Sequence, residues 1–260
     1  MVVTILVGVG LSFFEVDMRD LRTGKMISDL NGYYDSQNIV AVWNGNHRIL
    51  SVILHKSDNH EGGPGLRLYN TVSHDDGRIW SALKPIETSE IKPSHDGYQL
   101  LDKKRQRIYV FYGYNEYVEC QPCKDCPHCR GKGWETPIGE LLPRPDMQLS
   151  AGYYFRYSDN FGEDWSHRIL IKIRRTDIDH KNAWGGDIMG MFLCDKPQII
   201  GGSVYMAFQK TKDGAGETEG SQVFFLKSKN LLEIDNPETD PESVKWETLP
   251  VGEFGLIDEY

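Results

Sequence analysis

Short apolar runs separated by clusters of Gly, Asn, Asp and Pro recur along most of the chain, the punctuation of β-strands and tight turns. Three repeated units emerge. In the first, Asn38 to Trp43 and Arg48 to His55 flank Asn44-Gly45, a hairpin dipeptide whose residues tolerate positive φ, and Leu66 to Ser73 and Ser81 to Ile86 supply two further strands. The second has Tyr98 to Leu101, Arg107 to Tyr114, a long loop, Gly152 to Ser158 and His167 to Ile173; the third has Gln198 to Ile200, Val204 to Gln209, Gln222 to Ser228 and Val244 to Leu249. No segment sustains helical periodicity with caps over three turns. The pattern predicts an all-β protein of repeated four-stranded antiparallel units.

Between the third and fourth strands of each unit lies a related turn. It reads Ser73-His-Asp75-Asp-Gly77-Arg-Ile-Trp80 in the first and Ser158-Asp-Asn160-Phe-Gly162-Glu-Asp-Trp165 in the second; Ser228-Lys-Asn230-Leu keeps only the opening. Each residue type has a physical reason: a short Asp or Asn side chain accepts N–H bonds of the turn, Gly supplies a positive φ, and Trp packs between neighbouring sheets. Ser-x-Asp-x-Gly-x-x-Trp resembles the Asp box of the sialidase (neuraminidase) superfamily. Arg174-Arg-Thr-Asp-Ile-Asp179, Asn182-Ala-Trp184-Gly-Gly186, Lys196-Pro197 and Trp246-Glu-Thr-Leu-Pro250 look like a bacterial group of sialidase-like proteins of undefined substrate, a resemblance covering the chain from about Tyr34 onward.

The resemblance implies a sialidase-like β-propeller, which closes with six blades. About three are present, near 35–90, 95–175 and 195–250, in a single domain over 1–260 that is expected to be incomplete at its C-terminus. An open half propeller exposes sheet edges and apolar faces, so further blades beyond Tyr260 or a partner chain are expected to close it.

The formal charge of −9, without an extended basic cluster, excludes a nucleic-acid backbone as partner and predicts a soluble protein. Val2 to Phe14 is too short for a bilayer span and lacks a basic leader and small-residue cleavage site, so it reads as a strand rather than a signal peptide. Compartment stays open. Cys120, Cys123, Cys126 and Cys129 follow one another at two-residue intervals inside a long insertion, 115–151. The spacing suits one structural zinc, with an iron–sulfur cluster or two local disulfides as competitors. Four thiolates leave no open position for water, so catalysis is expected to need no metal. Cys194 stands apart and reads as a small buried hydrophobe.

Strand direction places the candidate chemistry. In an up-and-down blade the Asp-box turns share one end, and the starts of the innermost strands share the other. Those starts read Asp35-Ser-Gln-Asn38, His95-Asp96-Gly-Tyr98, Asp195-Lys196-Pro-Gln198 and Asp258-Glu259-Tyr260. They bring acids, an imidazole and an ammonium toward a central funnel, where solvated strand ends are the plain alternative. A long crossing adds Arg174, Arg175, Asp179 and Trp184, which suit a carboxylate-binding or sugar-stacking lid as well as a solvated basic loop.

Sialidases, as the resemblance implies, hold the substrate carboxylate with three arginines and use an Asp as acid/base and a Glu-activated Tyr as nucleophile. The arginine of the Arg-Ile-Pro motif that precedes the first Asp box is absent, and Asp35-Ser-Gln occupies the comparable region. The leading reading is an exo-glycosidase that removes a terminal, acidic sugar from a glycan, using Asp35 and Glu259 as paired carboxylates and His95, Arg175, Asp179, Trp184 and Lys196 as substrate contacts. The rival is a non-catalytic carbohydrate-binding or assembly propeller. Because half a ring cannot hold carboxylates opposite one another, the chain alone is expected to be catalytically silent.

Overall fold

The computed structural model describes residues 27–28, 32–57, 66–88, 94–114, 152–181, 189–193, 195–212 and 221–256. These form three antiparallel sheets, each meandering outward from an innermost strand. The first is β1 (Tyr33–Asn44), β2 (His47–Ser57), β3 (Arg67–Ser73) and β4 (Lys84–Pro85); the second is β5 (Ser94–Asp102), β6 (Arg107–Tyr114), β7 (Gly152–Ser158) and β8 (Ile169–Leu170). After α1 (Asp177–His180), the third contains β9 (Met191–Leu193), β10 (Gln198–Ile200), β11 (Ser203–Lys210), β12 (Gln222–Ser228) and β13 (Glu247–Leu249). The three sheets have the form of propeller blades and, among the described residues, close no ring.

The strands form where β-branched and aromatic residues alternate faces. In β11 Val204, Met206, Phe208 and Lys210 are buried while the residues between them are half exposed. Blades two and three clamp a core of Tyr109, Phe111, Phe155, Met206, Phe208, Phe224 and Leu226, and blades one and two a smaller one around Ile53, Leu68, Val110 and Tyr112. Fourth strands are shorter than the apolar pattern predicts. The ladder with β3 is regular only at Lys84–Pro85 within the expected Ser81 to Ile86, whose end residues each keep one bond to it, from the N–H groups of Ser81 and Ile86 to the Val72 and Leu68 carbonyls.

The third blade also departs from expectation. Its innermost position is filled by two segments, β9 and β10, both paired to β11, so Asp195 and Lys196 sit at a break within the innermost position and not at its start. The same place is irregular in the other blades: the β1–β2 ladder shifts between Asp35 and Asn38, and the β5–β6 ladder between His95 and Tyr98. The recurring four-residue pattern therefore marks a bulge in the inner strands of blades one and two, where an extra residue re-aims the side chains around it, and a break in that of blade three. Ser36 (φ 49°) and Asp96 (φ 52°) adopt the left-handed conformation there, uncommon for residues with a side chain.

Candidate functional site at the inner-strand bulges

Register separates the two ends of the blades. Ser73 pairs with Leu50 and Leu50 with Ala41, close to the Asn44 hairpin, whereas Asp35 pairs with His55 at the far end. In blade two Ser158 pairs with Ile108, which pairs with Leu101, while His95 pairs with Gly113 at the other end.

At the hairpin end the turns are self-contained. Ser73 Oγ donates to Asp75 Oδ1 (2.8 Å) and accepts from the Gly77 N–H (2.8 Å), and Asp75 Oδ1 also accepts from the N–H groups of Arg78 (3.0 Å) and Ile79 (2.8 Å). Gly77 has φ 85°, and the Trp80 indole donates back to its carbonyl (3.0 Å). The second turn repeats this with an amide: Ser158 donates to Asn160 Oδ1 (2.8 Å), which accepts from the Asp164 N–H (3.0 Å), Gly162 takes φ 94°, and Trp165 packs on the core between blades one and two. The Ile79 N–H bond, helped by Ser73 and Arg78, outweighs desolvation and holds the Asp75 carboxyl below the ordinary value of 3.8. A depressed carboxyl contributes stability above its unfolded value and loses it as pH falls through the folded one. In Asp75→Asn, where the amide keeps the acceptor as Asn160 does, the acid limb of thermal stability from about pH 5 to about pH 2 is expected to flatten. Melting curves across that range are the check, and an unchanged limb would show that the turn does not sense pH through Asp75.

At the other end the polar side chains stitch neighbouring blades together. His55, on β2, is buried, with Nδ1 2.9 Å from Asp35 Oδ1 of β1; its Nε2 accepts the Gly97 N–H from the bulge of blade two (3.1 Å). That second bond requires a bare Nε2, so the proton sits on Nδ1 and is donated to Asp35. Nearby the Gln99 N–H donates to Asn38 Oδ1 (2.9 Å). Blade two is tied to blade three through Tyr153, whose hydroxyl lies 3.1 Å from Asp96 Oδ2, 3.1 Å from the Met191 carbonyl, and accepts from the Leu193 N–H (3.2 Å). Burial alone would raise the Asp96 carboxyl; the adjoining His95 and the Tyr153 hydroxyl hold it below the usual range.

Two groups are left over. Asp35 keeps 18% of its side chain exposed, yet its Oδ2 is buried with no hydrogen-bond partner among the described residues. His95 is wholly buried; its Nδ1 lies 3.1 Å from Asp96 Oδ2, but neither ring nitrogen has a well-aligned hydrogen bond among the described residues. Its ring fills the space over Gly113, where any Cβ would come within 2.5 Å of Cε1.

The candidate residues thus divide. Asp35 and Lys196 belong to the inner strands, and Lys196 Nζ reaches the Ile39 carbonyl on β1 (3.3 Å), so blades one and three converge there. Arg175 is exposed. His95 and Asp179 are turned inward: Asp179 is paired with the fully buried Lys210, whose ammonium also donates to the Arg174 carbonyl (2.8 Å) and Thr176 Oγ1 (3.1 Å). Burial pulls the Lys210 ammonium below its usual value, and Asp179 offsets only part of that. Trp184, Glu259 and Cys194 lie outside the described residues. His55 and Tyr153, which hold the bulges, carry no motif; their only sequence signal is a polar group within an apolar strand.

Zinc is not retained. Among the described residues no group of three or more His, Cys, Asp or Glu side chains could hold a metal ion, because the imidazoles and carboxylates of this end associate in twos; Cys120, Cys123, Cys126 and Cys129 themselves lie outside those residues. Nor does a buried Tyr–Glu pair supply a nucleophile: Tyr112 donates to Glu87, and burial holds its phenol protonated well above the ordinary range. Among the described residues no helix is long and apolar enough to cross a membrane.

No family model and no curated protein matches the chain. Solved structures do. A protein of unknown function from Dyadobacter fermentans superposes with a TM-score of 0.57 at 12% identity, over 86% of this chain and 56% of that one. A Hadza microbial sialidase, Hz136, gives 0.47 at 15% identity (76% and 35%), and a leech intramolecular trans-sialidase 0.48 at 12% (84% and 43%). The similarity is one of fold, and the chain spans between 35% and 56% of the length of these three structures.

Proposed function

We propose that the chain contributes part of the active site of a sialidase-like glycoside hydrolase acting on a terminal, acidic sugar, with Asp35 as an acid/base carboxylate. The observation that supports it is the state of Asp35: an inner-strand bulge carries it, His55 orients one oxygen, and the other has no partner among the described residues. A carboxylate oriented through one oxygen, with the other unpartnered, can exchange a proton with a ligand that reaches it. Glu259 is the proposed opposing carboxylate, with Lys196, Arg175 and Trp184 contacting substrate. Further blades or a partner chain would enclose the sugar.

The burial of His95 and Asp179 favours a second reading, a glycan-binding propeller without turnover, since it removes two groups from the surface a substrate would touch. Hydrolysis of acidic aryl glycosides, a sialoside among them, separates the two. Turnover by the chain, alone or joined to further blades, is expected to fall at least about 10²-fold in Asp35→Asn with the fold retained. Undiminished turnover would remove Asp35 from the chemistry, and binding without turnover would establish the second reading.

A further inference from the structure

A groove of about 450 Å³ runs along the seam between the outer edges of blades two and three, lined by Lys172, Ile173, Arg174, Trp246, Thr248 and Val251, among others. Its size falls within the ~300–1,000 Å³ typical of small-molecule pockets. It lies on the outer strands, away from the inner-strand bulges that carry Asp35.

Arg174 sets its character. The guanidinium is half-buried and held by two carbonyls, Gly252 through Nη1 and Pro250 through Nη2 (2.9 Å), while its backbone N–H donates to Thr248 Oγ1 (3.2 Å). Among the described residues no carboxylate pairs with it. The other charged residues lining the groove are matched, Lys172 with Glu242 and Glu247 with Lys229 (3.0 Å), and Lys210 beneath is paired with Asp179. Among the described residues lining the groove, Arg174 is thus the cation without an opposite charge, in a chain whose net charge is −9. Two of its five N–H donors are used, and the remaining three suit a planar anion.

Beside it stands Trp246, half-buried, with its rings edge-on to Phe111 (6.2 Å, 87°) and Phe155 (6.3 Å, 61°). An aromatic surface braced from behind, next to a hydroxyl and an unmatched guanidinium, fits a ring with an apolar face, hydroxyls and one carboxylate. We propose that this seam is a binding site for an acidic sugar, a pyranose carrying a carboxylate. Its carboxylate pairs with Arg174, its ring lies against Trp246, and Thr248 and Lys172 meet its hydroxyls. The site is independent of the chemistry proposed for Asp35 and would anchor a glycan while another part of it occupies the funnel.

The test is ligand-observed NMR titration of the 260-residue chain with methyl β-glucuronide, the methyl α-glycoside of N-acetylneuraminic acid, and the neutral methyl β-glucoside. At least one acidic sugar is expected to bind about tenfold more tightly than the neutral one, the effect of one charge-assisted pair. Arg174→Gln should erase that preference. Since Arg174 also ties down the 250–252 turn, Val251→Glu provides a second arm: Val251 is 88% exposed at the mouth, so the added charge repels the acid without disturbing packing. Equal binding of acidic and neutral sugars, binding of none, or a preference that survives both Arg174→Gln and Val251→Glu would each overturn the assignment.

Discussion

Asp179→Ala is expected to destabilise the protein by about 3–5 kcal/mol, the cost of leaving one member of a buried ion pair without its counter-charge. Lys210 is fully buried and Asp179 1% exposed, so the ammonium has no water to turn to. Asp179 also accepts the Thr176 N–H (2.7 Å) at the entry to α1, which makes the pair the fastening between the segment that follows blade two and β11 of blade three. For a chain of this size the melting temperature should fall by roughly 10 °C. The deficit should depend on pH in a definite direction. With Asp179 gone, burial pulls Lys210 further below its unfolded value, so the unfolded state binds more protons and the variant regains stability as pH rises. Replacing both partners by apolar residues, Asp179→Leu with Lys210→Met, should recover most of the loss. Thermal melts of the single and double variants from neutral to alkaline pH are the measurement. A single variant as stable as the parent would mean that Lys210 finds another partner.

Glu87→Ala should cost about 2–4 kcal/mol, less than the first because one of its partners reaches water. The carboxylate is 4% exposed at the end of blade one and receives the Tyr112 hydroxyl, Arg156 (2.9 Å) and Arg168 (3.4 Å) from blade two. Removing it leaves two guanidinium groups and a phenol facing a void. Arg168, a third exposed and stacked over Tyr114 (4.4 Å), can turn outward; Arg156 and Tyr112 are held by the sheet. Glu87→Gln retains an acceptor for Tyr112 and should lose roughly half as much. Chemical denaturation of the two variants tests the order, and equal losses would show that a neutral acceptor contributes nothing once the charge is gone.

Local chemistry made much of this architecture legible in advance. The strands β6, β7, β10 and β12 have the bounds that alternation and turn residues predict, and the Asn44-Gly45 hairpin and the Ser73 and Ser158 turns close on their own side chains, with every partner within a few residues. Such features depend on φ preferences and short-range hydrogen bonds, which a sequence states directly. The pattern Asp35 to Asn38 and His95 to Tyr98 was also visible, but as strand starts; that both are bulges follows only from the partner strand, which is one residue short at each. What those residues do could not be read at all. His55 meets Gly97 across 42 positions, Tyr153 meets Leu193 across 40, and Lys210 meets Asp179 across 31. Whether His95 and Asp179 face a ligand or the core is set by how one blade lies against the next, since the same polar side chain is a surface contact in water and a structural clasp once a neighbouring sheet excludes water from it.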